Sequence, residues 1–292
     1  MSRCLKSVPL IAAVLIAFVT GAFIPVGVAR GASPLSGEQQ QQEDPLRFAR
    51  SLYQDGLYDL AVDQLRQQLV EGLSLPRAEE ARWLLGEALE AAGRELEAAA
   101  AYRDFTTYHG SAVRAPEAWL RAGRLCAEGG DYAAAAAAYS NFIDLFGTND
   151  ARPRASVGLI EALLADGQVD AALDQIAAAN RDYPFHPLQP RFQLLEARAR
   201  IDLDQIDRAL ELADEAAGSA ASSDMQADAA ALQGRLRIET DRAEEAVTIV
   251  STALGSDPPE GRRPALRSVL GQAFSTLGRH SEALPELRAA VE

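Results

Sequence analysis

The residues of this chain best suited to hold a metal or to attack a substrate are three histidines, His109, His186 and His280, and two cysteines, Cys4 and Cys126. A zinc centre needs several such ligands converging on one point. The histidines fall in or near expected turns, never pair at i, i+4, and have no cysteine cluster beside them, so no metal site is expected. Cys126 lies on the core-facing side of an expected helix, with no histidine or lysine nearby to activate a thiolate. Carboxylates are plentiful, yet Glu79-Glu80, Glu95 with Glu97, and Glu244-Glu245 sit at helix starts or on helix faces, where the helix dipole favours negative charge. The sequence holds no G-x-S-x-G elbow, phosphate-cradling glycine loop or H-E-x-x-H pair. The expectation is a chain without catalytic residue, metal or cofactor, whose chemistry is recognition.

The spacing of small residues says more. Ala61, Ala98, Ala135, Ala172, Ala209, Ala246 and Ala283 recur every 37 residues. Pro116, Pro153, Pro190 and Pro264 each stand 19 residues before one of these alanines, and Gly56, Gly93, Gly130, Gly167 and Gly278 stand five before theirs. Asp204 and Asp241 take the glycine slot in the fifth and sixth units. Each type has a task. Proline opens the first helix of a unit, where a missing N–H costs nothing. Glycine or aspartate closes that helix in the left-handed conformation. Alanine lies in the second helix, where the pair approaches most closely. In the third unit Trp119, Ala122, Gly123 and Cys126 form one helix face, answered by Tyr132, Ala135, Tyr139 and Phe142.

Trp119, Gly123, Gly130, Tyr132, Ala135 and Tyr139 fall at the signature positions of the tetratricopeptide repeat, which the third unit resembles. The second unit resembles it through Leu85, Gly86, Leu89, Ala98 and Tyr102, and the last through Leu270, Gly271, Phe274, Gly278, Ala283 and Leu287. Arg200 and Arg237 stand where that family usually has an apolar residue. The resemblance implies an all-α, right-handed solenoid of about seven helix-turn-helix repeats over 45–292. The family's usual period is ~34 residues, so the longer period implies enlarged turns between units. Turns such as Thr107–Gly123 resemble the bacterial envelope branch of the family, of the Tol-associated division coordinator and outer-membrane assembly lipoprotein type. The chain departs from that branch in lacking a lipobox and a coiled coil before the repeats.

Membership of that family implies protein binding on a concave side lined by first helices. Its middle groove position falls here on Glu87, Arg124, Glu161, Arg198, Arg235 and Gln272. Neighbouring groove positions fall on Trp83, Leu120, Arg121, Arg191, Leu194 and Ile238. Arginines and a tryptophan among apolar residues suit an extended or helical partner segment with some negative charge. The competing expectation is that Arg124 and Arg198 pair with glutamates of adjacent units. The asparagine that the family's chaperone-tail clamp places at the middle position is absent.

With hydrophobic residues at 48% and charged residues at 24%, most of the chain can bury a core. The formal charge of −14 repels phosphate backbones and anionic lipid, so no nucleic-acid partner is expected. Arg3 and Lys6 precede an uncharged run, Val8–Ala29, in the pattern of a secretory signal with cleavage after Ala29; an uncleaved membrane anchor over 8–29 is the alternative. Residues 1–29 are therefore expected to be a signal peptide or anchor. Residues 30–44, with their glutamine run, are expected to be a flexible linker, and Asp44-Pro45 to cap and open the first helix. Leu284, Leu287 and Val291 are expected to leave an uncapped apolar end suited to self-association. Together these features predict an exported scaffold or adaptor of the bacterial cell envelope, periplasmic or otherwise extracytoplasmic, touching membrane only through an uncleaved N-terminal segment. The alternative is a non-catalytic docking or regulatory subunit of an envelope enzyme complex.

Overall fold

A left-handed turn residue closes the first helix of every unit, and an in-phase proline opens four of them. The computed structural model describes residues 44–291, which contain fourteen α-helices, one 3-10 turn and, among those residues, no strand. The expected signal or anchor segment and nearly all of the expected linker lie outside them. The helices pair in chain order into seven hairpins: α1 (Arg47–Gln54) with α2 (Tyr58–Glu71), α3 (Leu75–Ala91) with α4 (Glu95–Tyr108), and α5 (Ala115–Glu128) with α6 (Tyr132–Leu145). They continue as α7 (Arg152–Ala165) with α8 (Val169–Asp182), α9 (Gln189–Asp202) with α10 (Ile206–Ser219), α11 (Ser223–Glu239) with α12 (Ala243–Gly255), and α13 (Arg263–Thr276) with α14 (His280–Ala289). The all-α solenoid read from the repeat is the fold observed.

Each of the four in-phase prolines is the second residue of its helix, in α5, α7, α9 and α13. Proline has no N–H to donate, and inside a helix its ring clashes with the carbonyl four residues back, so these helices cannot lengthen much upstream. In the second and sixth units the same slot holds Glu79 and Ala227, and the first helix gains a turn, running 17 residues instead of 14. There α3 begins beside Pro76, and α11 at Ser222, whose hydroxyl accepts from the Met225 N–H at 3.3 Å. The surplus of the long period thus enlarges a turn in some units and extends a helix in others. The first helix differs from expectation too: α1 starts at Arg47, because Asp44 and Pro45 form a preceding turn in which the Asp44 carboxylate accepts from the Leu46 N–H at 3.1 Å.

Every first helix ends the same way. The N–H three residues past its last residue donates back across the turn, from Leu57 to the Leu52 carbonyl, Arg94 to Leu89, Asp131 to Cys126 and onward to Arg279 and Phe274. That 6→1 bond needs a left-handed residue. Glycine supplies it at φ +69° to +79° in five units, and Asp204 and Asp241 adopt +57° and +58°. The in-phase alanines are all buried, six of them fully. Their smallness lets a ring cross the seam: Tyr139 lies against Gly123 and Gly158, where an added methyl group would sit 2.8 and 2.5 Å from ring carbons.

Arg200 and Arg237 occupy the slot that Leu52, Leu89, Cys126, Leu163 and Phe274 fill in other units. Arg237 is nine-tenths buried and reaches Asp214 of α10 at 3.0 Å and Glu245 of α12 at 3.4 Å. Arg200 binds Glu196 at 3.0 Å. Around these polar insertions the apolar interior divides into three clusters, one through the first four units and into α9, one centred on the fifth and sixth, one on the sixth and seventh. The Leu284, Leu287 and Val291 side chains are exposed, as expected.

Gly158→Ala is expected to lower unfolding free energy by about 1–3 kcal/mol, because the Tyr139 ring must move aside, while Gly147→Ala, with open space at its Cβ position, changes stability little. Urea denaturation followed by circular dichroism compares the two.

Candidate protein-docking groove

A stack of hairpins curves toward whichever helices approach more closely. Here α5 touches α7, α7 touches α9, α9 touches α11 and α11 touches α13, whereas second helices meet one another at most marginally and contact the first helices before and after them. The first helices of these units therefore form the inner side, and two cavities open there.

The groove positions separate into two electrostatic regimes. In the second and third units the charges satisfy one another. The Arg121 guanidinium donates to the Tyr102 hydroxyl at 2.8 Å and pairs with Glu117 at 2.7 Å and Glu90 at 3.4 Å. Glu87 lies 3.8 Å from the same guanidinium. Arg124 pairs with Glu90 and, at 2.7 Å, with Glu128. Arg114 and Arg121 cover the Trp83 ring at 4.9 and 5.0 Å, while Tyr102 and Phe105 hold it edge-on from within. Trp83 is only 5% exposed. Expected as a groove contact, it is instead a core residue beneath an arginine lid. Leu120 beside it is half-buried.

In the fourth to seventh units the pairing is incomplete. Arg191 bridges Glu161 of α7 and Asp228 of α11, and Arg262, in the 3-10 turn Glu260–Arg262, reaches Asp224 and Asp228 at 3.3 Å. This ladder of alternating charge lies between two cavities and lines both. On one side, a space of about 710 Å³ is lined by Pro153, Val157, Leu188 and Met225 beneath Glu161 and Arg154. On the other, a space of about 570 Å³ holds four arginines, Arg191, Arg198, Arg235 and Arg262, against Asp202 and Asp228, over a floor that includes Leu194 and Leu232. Arg198 and Arg235 are exposed and form no ion pair or hydrogen bond among the described residues.

Four sequence-assigned positions, Arg191, Leu194, Arg198 and Arg235, thus converge on one cavity, though Leu194 is 4% exposed and contributes floor rather than reach. Gln272 joins Arg235 in a smaller neighbouring recess, and Ile238 packs partly buried against the C-terminal core cluster. The competing expectation of self-pairing holds for Arg124 and not for Arg198. Arg262, Asp202 and Asp228 were not among the assigned positions. Asp228 had a legible signal: it stands one period after Arg191, at the same slot of the next helix.

Two of the histidines and the thiol sit within the packing, whereas His280 is exposed. His109 Nε2 lies 3.2 Å from the Arg82 guanidinium, and burial, aided by that charge, lowers its pKa. His186 Nδ1 accepts from the Leu188 N–H at 3.2 Å. Cys126 is buried, and burial pushes its thiol up. Among the described residues no three His, Cys, Asp or Glu side chains gather as a metal site would need, and no helix is long and apolar enough to cross a membrane.

Comparison with known proteins agrees with the geometry. The family model described as tetratricopeptide repeat matches residues 46–112, 96–150 and 120–187. No curated protein sequence matches the chain. Among solved structures, the chain is similar to a tetratricopeptide repeat protein from Parabacteroides merdae, with 13% identity over 85% of this chain and 91% of that one and a TM-score of 0.62. It is also similar to PilF of Pseudomonas aeruginosa (12% identity, 72% and 89% coverage, TM-score 0.51). A third likeness is to the Cut9–Hcn1 hetero-tetramer of the APC/C (14% identity, 84% and 48% coverage, TM-score 0.50). At such identities the likeness is one of fold.

Burial, with Glu161 as the next largest influence, raises the Tyr139 hydroxyl from 10.0 to about 12. A raised pKa means that the folded state holds a proton the unfolded state releases, so this contribution is complete below pH 10 and lost as pH rises toward 12. Tyr139→Phe is therefore expected to flatten the decline in stability between pH 10 and 12, measured by urea midpoints across that range.

Proposed function

We propose that this chain, which belongs to the tetratricopeptide repeat family, is an exported scaffold of the bacterial cell envelope that holds partner proteins in its first-helix groove. Repeats of this family generally serve as non-catalytic protein-interaction scaffolds, and a long groove offered by stacked helix pairs suits a segment of another protein. The observation that carries the reading is the cavity among α9, α11 and α13, where charged and apolar side chains face solvent without saturating one another. Concave sites with a few fixed polar groups over an apolar floor are where ligands bind.

Export rests on the N-terminal sequence, a short basic region followed by the uncharged run Val8–Ala29 and then Arg30. An extracytoplasmic scaffold would present its groove to envelope proteins.

Two measurements test the two halves of this reading. A photo-crosslinking amino acid at Leu120 or Gln272 is expected to give discrete protein adducts in the native host, and one at Arg103 or Arg181 on second helices far fewer. Equal or absent adducts would overturn the groove as the docking side. Mass spectrometry of the mature chain is expected to find Arg30 at its N-terminus; an intact Met1 or Ser2 start in the cytosolic fraction would overturn export.

A further inference from the structure

The middle groove slot alternates in sign through Glu87, Arg124, Glu161 and Arg198, and then the alternation fails: Arg235 follows Arg198 with no acid between them. Two like charges on neighbouring helices of one cavity repel each other, and neither forms an ion pair among the described residues, although Asp202 lines the same cavity. The other two arginines of the cavity are held by Asp224, Asp228 and Glu161. The adjoining cavity, across the ladder, carries Asp150, Glu161, Asp224 and Asp228 against three arginines. This cavity thus gathers four arginines against two aspartates in a protein whose formal charge is −14.

We infer that the cavity among α9, α11 and α13 takes an acidic, extended segment of a partner protein, with carboxylates bridging Arg198 and Arg235. The assignment rests on the groove being the docking side and adds the chemistry of its occupant. Guanidinium groups bind carboxylates through two parallel N–H donors, and leaving two such groups without partners in a cleft costs nothing only if a partner arrives or water serves them. Spacing follows from the fold. Packed helices lie about 8–10 Å apart, and an extended segment in the polyproline II conformation rises about 3.1 Å per residue and turns once every three residues, so acidic residues three positions apart share a face and meet arginines on successive first helices. The leucine floor, Leu194 and Leu232, accepts the intervening side chains or the backbone they cover. A basic segment is repelled, and a neutral one leaves both arginines unpaired.

The test uses the purified protein and fluorescein-labelled decapeptides of serine. One has glutamate at every third position, a second the same glutamates contiguous, and a third lysine at every third position. Fluorescence anisotropy is expected to show the spaced glutamate peptide binding most tightly and the lysine peptide not at all. Arg198→Glu with Arg235→Glu is expected to weaken the spaced peptide at least tenfold. Arg103→Glu with Arg181→Glu, an equal change in net charge on second helices, is expected to leave it unchanged. Circular dichroism melting confirms that both variants fold. Equal loss in both variants, or a lysine peptide that binds as well, overturns the inference; equal binding of the contiguous peptide overturns its spacing. Crosslinks from Leu120 and Gln272 that persist while all glutamate peptides fail would leave the scaffold reading standing and remove the acidic occupant.

Discussion

The closest approach between the two helices of each hairpin constrains everything else in this protein. Seven alanines one period apart sit at that approach with almost no exposed surface, because nothing larger fits where two backbones come this near. Close packing at the seam fixes the orientation of each hairpin. It also leaves room for large rings such as Tyr102, Phe105, Phe142 and Phe192 to fill the space between units. A core assembled from many small contacts repeats without long-range pairing, so each unit needs only its neighbours.

The groove is a by-product of the same geometry. From the third unit on, first helices touch one another and second helices barely do, so that face of the stack gathers side chains from successive units into common cavities. Once there, charge decides what each stretch of the face does. Where every arginine meets a carboxylate, as around Arg121, Glu90 and Glu117, the surface is closed, and even a tryptophan is covered. Where the supply of carboxylates runs out, the surface stays open. A half-exposed ion pair contributes about 0–1 kcal/mol, so the difference between the two regimes bears on recognition more than on stability.

The fold was legible because backbone requirements wrote themselves into residue identity. A left-handed turn demands glycine or a short acid, and the chain shows Gly130 at one such place and Asp241 at another. A helix start is readable where proline marks it, at Pro153 or Pro190. It is harder to read where the in-phase slot holds no proline, as in α3, whose Pro76 stands out of register, and in α11. Groove positions carried from the family's pattern include four that line one cavity, yet could not foresee the cover over Trp83, which depends on Arg114 arriving from the preceding turn. Arg262 escaped for the converse reason, since it sits outside any helix and reaches the cavity from the loop. Asp44 misled because a side chain that accepts from the backbone two residues later makes a tight turn as readily as a helix cap.

The two arginines set into the interior at positions 200 and 237 divide the apolar packing into three parts. In a linear array, cohesion is the sum of links between neighbours, so the links beside these arginines set where the rod yields under load. Arg198 and Arg235 stand on α9 and α11, the two helices through which the cluster boundaries pass, so whatever lies across them acts as a splint.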